Sequence, residues 1–108
     1  MCFGPGAPAP LIQTVQKQLL ATPANVTHDD FCACNGFDVS DRLGGIRLPT
    51  LILSGAADQL TPVKYGQFLE RRIEGARLEV IPGAGHMMAL EKPDAFIGQV
   101  VPFMVAST

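Results

Sequence analysis

An α/β fold with two parallel strands follows from three features of the second half of the chain. Residues Thr50 to Ser54 form a short, continuous apolar run between Pro49 and Gly55. Residues Leu78 to Ile81 form a second run, closed by Pro82 and Gly83. Between and after them the apolar residues recur at helical spacing. A short apolar run bounded by turn residues fits a strand buried on both faces, as parallel strands are. The order strand, helix, strand, helix predicts a βαβ unit with a right-handed crossover.

Each element has its own local cause. Residues 1–10 hold Pro5, Pro8 and Pro10 with two glycines, and read as a mobile lead. Leu11 to Ala21 is predicted helical, with Leu11, Ile12, Val15, Leu19 and Leu20 on one face. Thr22-Pro23 ends it. Thr27 suits an N-cap for a second helix, and Asp29 and Asp30 favour its N-terminus. Gly36 suits a left-handed stop. Residues 37–43 follow, up to a break at Gly44-Gly45. Thr61 as N-cap and Pro62 at the first position start the crossover helix. Its core face is Tyr65, Phe68, Leu69 and Ile73; Arg71 and Arg72 sit near its C-terminus, and Gly75 ends it. Pro93 starts the last helix, with Phe96, Ile97, Val100, Val101 and Met104 inward and a kink or early end at Pro102.

Composition excludes several function classes. The 108 residues carry a net charge of −2, and the only basic cluster is Arg71-Arg72. Nucleic acid needs a concentrated cationic face, so it is not an expected partner. No polybasic segment or spanning stretch points to a membrane. The three cysteines, Cys2, Cys32 and Cys34, do not suit a disulfide framework, and residues 1–10 lack the pattern of a secretory signal. A soluble, cytoplasmic protein is the expectation. His28, Asp29, Cys32 and Cys34 lack a second spaced ligand pair, so no metal is expected there.

The chemistry sits where the predicted strands end. In open α/β sheets the functional loops lie at the carboxyl ends of the strands. The loop after the first strand carries Asp58 and the loop after the second carries His86. Adjacent strand tips are about 5 Å apart, so the two side chains can meet although 28 positions separate them (86 − 58). A carboxylate that accepts from one imidazole nitrogen fixes the tautomer and stabilises the imidazolium formed at the other. The plainer readings are a loop histidine and a helix-leading acid. Met87 and Met88 suit either an acyl pocket or the core. Glu91 reads as a support for the N-terminus of the last helix, with a contact to the site as the alternative.

Ile46 to Pro62 resembles the acid-bearing segment of the α/β-hydrolase family: an apolar strand, Gly55, two residues, Asp58, then Thr61-Pro62. Gly83 to His86, followed by Glu91, Pro93 and Phe96, resembles the histidine loop and last helix of the same family. Asn35 to Leu43 resembles its return from the cap to the core sheet, and the likeness covers residues 30–104. It implies a partial α/β-hydrolase fold: a lead over 1–10, a helical cap remnant over 11–45, and the C-terminal part of the core over 46–108. It also implies catalytic roles for Asp58 and His86, no cofactor, and a small acyl substrate, most simply a carboxylic ester.

The departure is the nucleophile, which this family carries in a Gly-x-Ser-x-Gly elbow. None of Ser40, Ser54 and Ser107 has that setting, and Cys34 lacks the upstream glycine. No oxyanion-hole loop is recognisable. The expectation is therefore a C-terminal hydrolase segment, inactive alone, that needs the serine from elsewhere. A complementing chain, self-association as a non-catalytic assembly module, and a truncated product are the alternatives.

Overall fold

The computed structural model describes residues 2–108. The chain runs α1 (Ala9–Ala21), α2 (Ala24–Gly36), a 3₁₀ segment (Ser40–Gly45), β1 (Leu51–Gly55), α3 (Val63–Arg72), β2 (Arg77–Ile81), α4 (Met88–Glu91) and α5 (Pro93–Ala106). The strands pair in parallel, from Leu51 opposite Arg77 to Gly55 opposite Ile81. The expected βαβ unit is present, with its strand ends within a residue of those read from the sequence, while the crossover helix stops at Arg72 and leaves Ile73 as an extended C-cap.

The core is small and centred on that unit. Among the described residues Leu43, Ile52, Ile73, Ile81 and Ala84 are its buried apolar members, and no large side chain is fully enclosed. β1 buries Ile52 and Ser54 and leaves Leu51 and Leu53 half-buried, so its second face is only partly covered. α3 lies tight against the sheet at Gly66, its buried residue. A Cβ there would lie 2.9 Å from Leu78 Cδ1 and 2.5 Å from Ser54 Oγ. The missing side chain lets the helix backbone settle on the strands.

Several local expectations change. α2 starts one turn before Thr27, because the Pro23 carbonyl accepts from Val26 and Thr27 at 3.0 and 3.2 Å. A proline before a helix sacrifices no bond, since its missing N–H would be an orphan there. Gly36 is not left-handed; among the described residues only Gly75 and Gly83 have positive φ. α5 does not stop at Pro102 and runs on to Ala106. The carbonyl that Pro102 leaves without its helical donor belongs to Gly98, which is exposed to solvent.

The expected apolar faces are thinly covered. Tyr65, Ile97, Val101 and Met104 are each more than half exposed or close to it. α1, α2 and α5 contain no buried residue. The radius of gyration is 15.6 Å, against about 13 Å for a fully packed chain of this length. The sequence has the apolar stripes of packed helices, and the described elements do not cover them.

Candidate active site

The register of the sheet builds the site. Gly55 and Ile81 end their strands side by side. The two loops that follow are stitched by backbone bonds, Ala56 N–H to the Ile81 carbonyl at 3.0 Å and Ala57 N–H to the Ala84 carbonyl at 2.8 Å. This close approach needs Gly55, where a Cβ would lie 3.0 Å from the Ala84 carbonyl carbon and nearer still to the Ala84 and Gly85 oxygens. The chain leaves β2 through Gly83 at φ +72°, a conformation that Gly adopts without penalty.

Asp58 and His86 meet across these loops. Asp58 Oδ2 lies 3.0 Å from His86 Nδ1. The Asp58 side chain is 2% exposed and that of His86 40% exposed. Oδ1 of Asp58 accepts from the N–H groups of Leu60 and Thr61, both at 2.9 Å. Oδ2 also accepts from the Thr61 hydroxyl at 2.9 Å, and Thr61 Oγ1 lies 3.2 Å from His86 Nδ1. Burial by itself would raise the carboxyl pKa. The bonds from Thr61 N–H, His86, the Thr61 hydroxyl and Leu60 N–H outweigh it, and hold Asp58 below the ordinary value of 3.8. Asp58 is thus an ionised acceptor with both oxygens occupied.

This arrangement dictates what His86 can do. An ionised Asp58 accepts, so Nδ1 carries the ring proton and Nε2 presents its lone pair. No side chain or backbone group among the described residues bonds Nε2. Nε2 is thus left as the free acceptor of a ring that is 40% exposed.

The sequence identified both partners but not their supports. Thr61 was expected to cap α3, yet that helix has no side-chain cap, and the hydroxyl goes to Asp58 instead. The signal was available: an Asp readily accepts from the N–H groups two and three residues ahead of it. Glu91 was expected to support the last helix. Its carboxylate turns back and accepts from Gly85 N–H at 3.1 and 3.2 Å and from Gly4 N–H at 2.6 Å. The lead, expected to be mobile, is anchored at residues 2–4: the Cys2 carbonyl accepts from His86 N–H at 2.8 Å and Met87 N–H at 3.2 Å. No local sequence signal announces a contact of that range. Met87 and Met88 are half-buried.

Two open clefts border the acid loop. One, of about 500 Å³, is lined by Phe3, Pro5, Ala56, Ala57, Asp58 and Gln59. The other, of about 560 Å³, lies between α2 and the loop, against Phe31, Cys34, Leu60, Thr61 and Tyr65. A hollow formed by Ser40, Lys64, Tyr65, Phe68 and Arg71 touches neither Asp58 nor His86. Among the described residues no group of three or more His, Cys, Asp or Glu side chains is arranged to hold a metal ion. No helix among them is long and apolar enough to cross a membrane.

Comparison with known proteins adds an independent line. The family model described as "alpha/beta hydrolase fold" matches residues 8–93. The 3-oxoadipate enol-lactonase 1 of Acinetobacter baylyi is 36% identical over 87 residues, which are 81% of this chain and 32% of the relative. The pimeloyl-[acyl-carrier protein] methyl ester esterase of Neisseria meningitidis is 37% identical over 59 residues, 55% of this chain and 23% of the relative. Among solved structures, an esterase from Exiguobacterium antarcticum superposes with a TM-score of 0.87 at 29% identity, over 96% of this chain and 39% of that one. The chain spans about a third or less of the length of the curated relatives it matches.

Proposed function

Because the chain belongs to the α/β-hydrolase family, we propose that it contributes the acid and the base of a Ser-Asp-His triad that hydrolyses carboxylic esters or related acyl bonds. The observation that carries this reading is the 3.0 Å contact between buried Asp58 and half-exposed His86. The ester class draws support from two relatives, one named for a lactone and one for a methyl ester. Both are carboxylic esters.

In this reading the nucleophilic serine and the oxyanion donors come from outside these 108 residues. The serine hydroxyl attacks the acyl carbon while His86 Nε2 takes its proton. The imidazolium so formed is stabilised by Asp58, which stays ionised. His86 then gives the proton to the leaving alcohol. Water attacks the acyl-enzyme with His86 again as base, and the acid departs as the serine is restored.

A chimera tests this. This chain replaces the matching segment of the Acinetobacter enol-lactonase, and a chromogenic ester reports turnover. His86→Ala and Asp58→Asn are each expected to lower kcat by at least about a thousandfold. A folded chimera that hydrolyses equally well without His86 overturns the assignment. The 108-residue chain alone is expected to hydrolyse the ester no faster than free imidazole. Robust turnover abolished by His86→Ala would place a nucleophile inside it after all.

One observation favours a second reading, an assembly module. α1 and α2 bury nothing and expose Leu20 at 86% and Phe31 at 71%. Contact with another chain is one way such apolar faces are covered. In size-exclusion chromatography a monomer that persists on dilution counts against it.

A further inference from the structure

The histidine loop is held from outside as well as by Asp58. Its three consecutive N–H groups, at Gly85, His86 and Met87, all have acceptors. Glu91 takes the first, and the Cys2 carbonyl takes the other two. Glu91 Oε1 also accepts from Gly4 N–H at 2.6 Å, so one carboxylate spans the loop and the segment laid against it. That segment is pressed close: a Cβ on Gly85 would lie 2.5 Å from the Phe3 carbonyl carbon and 2.9 Å from the Cys2 oxygen. Bonds to an ionised carboxylate are about twice as strong as neutral ones. The Glu91 backbone is anchored to the same loop, because its N–H donates to the Met87 carbonyl at 2.9 Å.

We propose that Glu91 is a positioning residue for His86: its carboxylate locks residues 2–4 onto the histidine loop and thereby keeps the imidazole within hydrogen-bond reach of Asp58. This rests on the reading of His86 as the base, but makes a separate claim. Glu91 touches no reacting atom. It acts through Gly85, the residue before His86, and through Gly4, two residues after Cys2, whose carbonyl holds the loop.

The test reads the imidazole directly, in the ¹⁵N-labelled 108-residue chain, with no need for turnover. The ring ¹⁵N shifts and the exchange rate of the Nδ1 proton report whether that proton is donated to Asp58. In the unmodified chain the Nδ1–H tautomer is expected. Glu91→Ala is expected to lower its share against the Nε2–H form, and to speed Nδ1 proton exchange, by about tenfold or more. Glu91→Gln keeps one oxygen able to accept from both Gly4 and Gly85, so about half of the logarithmic loss should be restored. The control is Glu70→Ala, which removes a comparable carboxylate bond, Glu70 Oε2 to Leu78 N–H at 2.7 Å, from the start of β2. It is expected to leave the His86 signals unchanged.

A folded Glu91→Ala variant with the original tautomer and exchange rate overturns the proposal. So does an equal loss in Glu70→Ala, which would mean that general loosening moves the ring. Should Glu91→Ala not fold, Glu91→Gln decides, and unaltered exchange in that variant is equally fatal. An unmodified chain without the Nδ1–H tautomer defeats this proposal and the triad reading together. Loss of the tautomer in no Glu91 variant defeats this proposal alone.

Discussion

The Thr61 hydroxyl donates to Asp58 Oδ2 at 2.9 Å, while Thr61 N–H donates to Oδ1 of the same carboxylate, also at 2.9 Å. One residue therefore grips both oxygens. Asp58 is left with a single approach, which His86 fills.

Removing that hydroxyl should be costly. Thr61→Val keeps the side-chain shape and the backbone bond but leaves Oδ2 one donor short in a site that is nearly closed to water. We expect a loss of about 1–2 kcal/mol in urea unfolding. Thr61→Ser should recover most of it. Direct titration of Asp58 by NMR should show its pKa moving up towards 3.8 in the valine variant.

The depressed Asp58 pKa makes stability depend on pH in a definite direction. The unfolded carboxyl titrates near 3.8 and the folded one below it, so the folded state binds fewer protons in that window. Stability from this group is fully present above the unfolded value. It is lost as pH falls through the folded one. Urea midpoints measured from pH 6 to pH 2 should fall more steeply for the unmodified chain than for Asp58→Asn. Parallel curves would mean that Asp58 has no such linkage.

The glycines should respond according to what faces them. At Gly85 a methyl group meets the backbone of residues 2–4, which cannot move aside without breaking the Cys2 bonds. Gly85→Ala should cost roughly 3 kcal/mol or more, at the upper end for overpacking. At Gly66 the obstacles are the side-chain ends of Ser54 and Leu78, so Gly66→Ala should cost about 1–2 kcal/mol. Nothing lies within 4 Å of a Cβ at Gly98, in α5. Gly98→Ala should stabilise the helix by about 0.5–1 kcal/mol. Thermal unfolding of the three variants checks the order.

The exposed ion pair between Arg47 and Glu74 should matter little despite its 2.8 Å separation. Both side chains are more than 70% exposed, and such pairs contribute about 0–1 kcal/mol. Glu74→Gln should leave the unfolding midpoint nearly unchanged. A large shift would indicate a packing role for the Glu74 stem.

The two parallel strands and the Asp58–His86 meeting were legible because both follow from short-range causes, whereas the pairing of Leu51 with Arg77 was set by the structure alone. Apolar runs, proline and glycine punctuation, and the rule that chemistry sits at strand ends lead to them directly. Thr61 was misread because one sequence pattern serves two uses. A threonine before Pro62 can cap a helix or turn back to an acid three residues earlier, and the nearly dry carboxylate wins the hydroxyl. Glu91 and residues 2–4 were not legible, since their partnership spans 87 positions and has no local pattern. Periodicity alone puts Ile97 and Met104 on an inward face and Leu19 on an apolar one, yet all three are more than half exposed. Periodicity states which face wants cover, and cover depends on neighbouring chain.

The bond between Gly4 and Glu91 also has a kinetic consequence. The Asp58–His86 pair closes a loop of 28 positions, whereas Gly4–Glu91 closes one of 87. Closing the longer loop costs about 1 kcal/mol more in chain entropy. During refolding the carboxylate and imidazole should therefore find each other first, and the N-terminal residues dock onto a loop already in place.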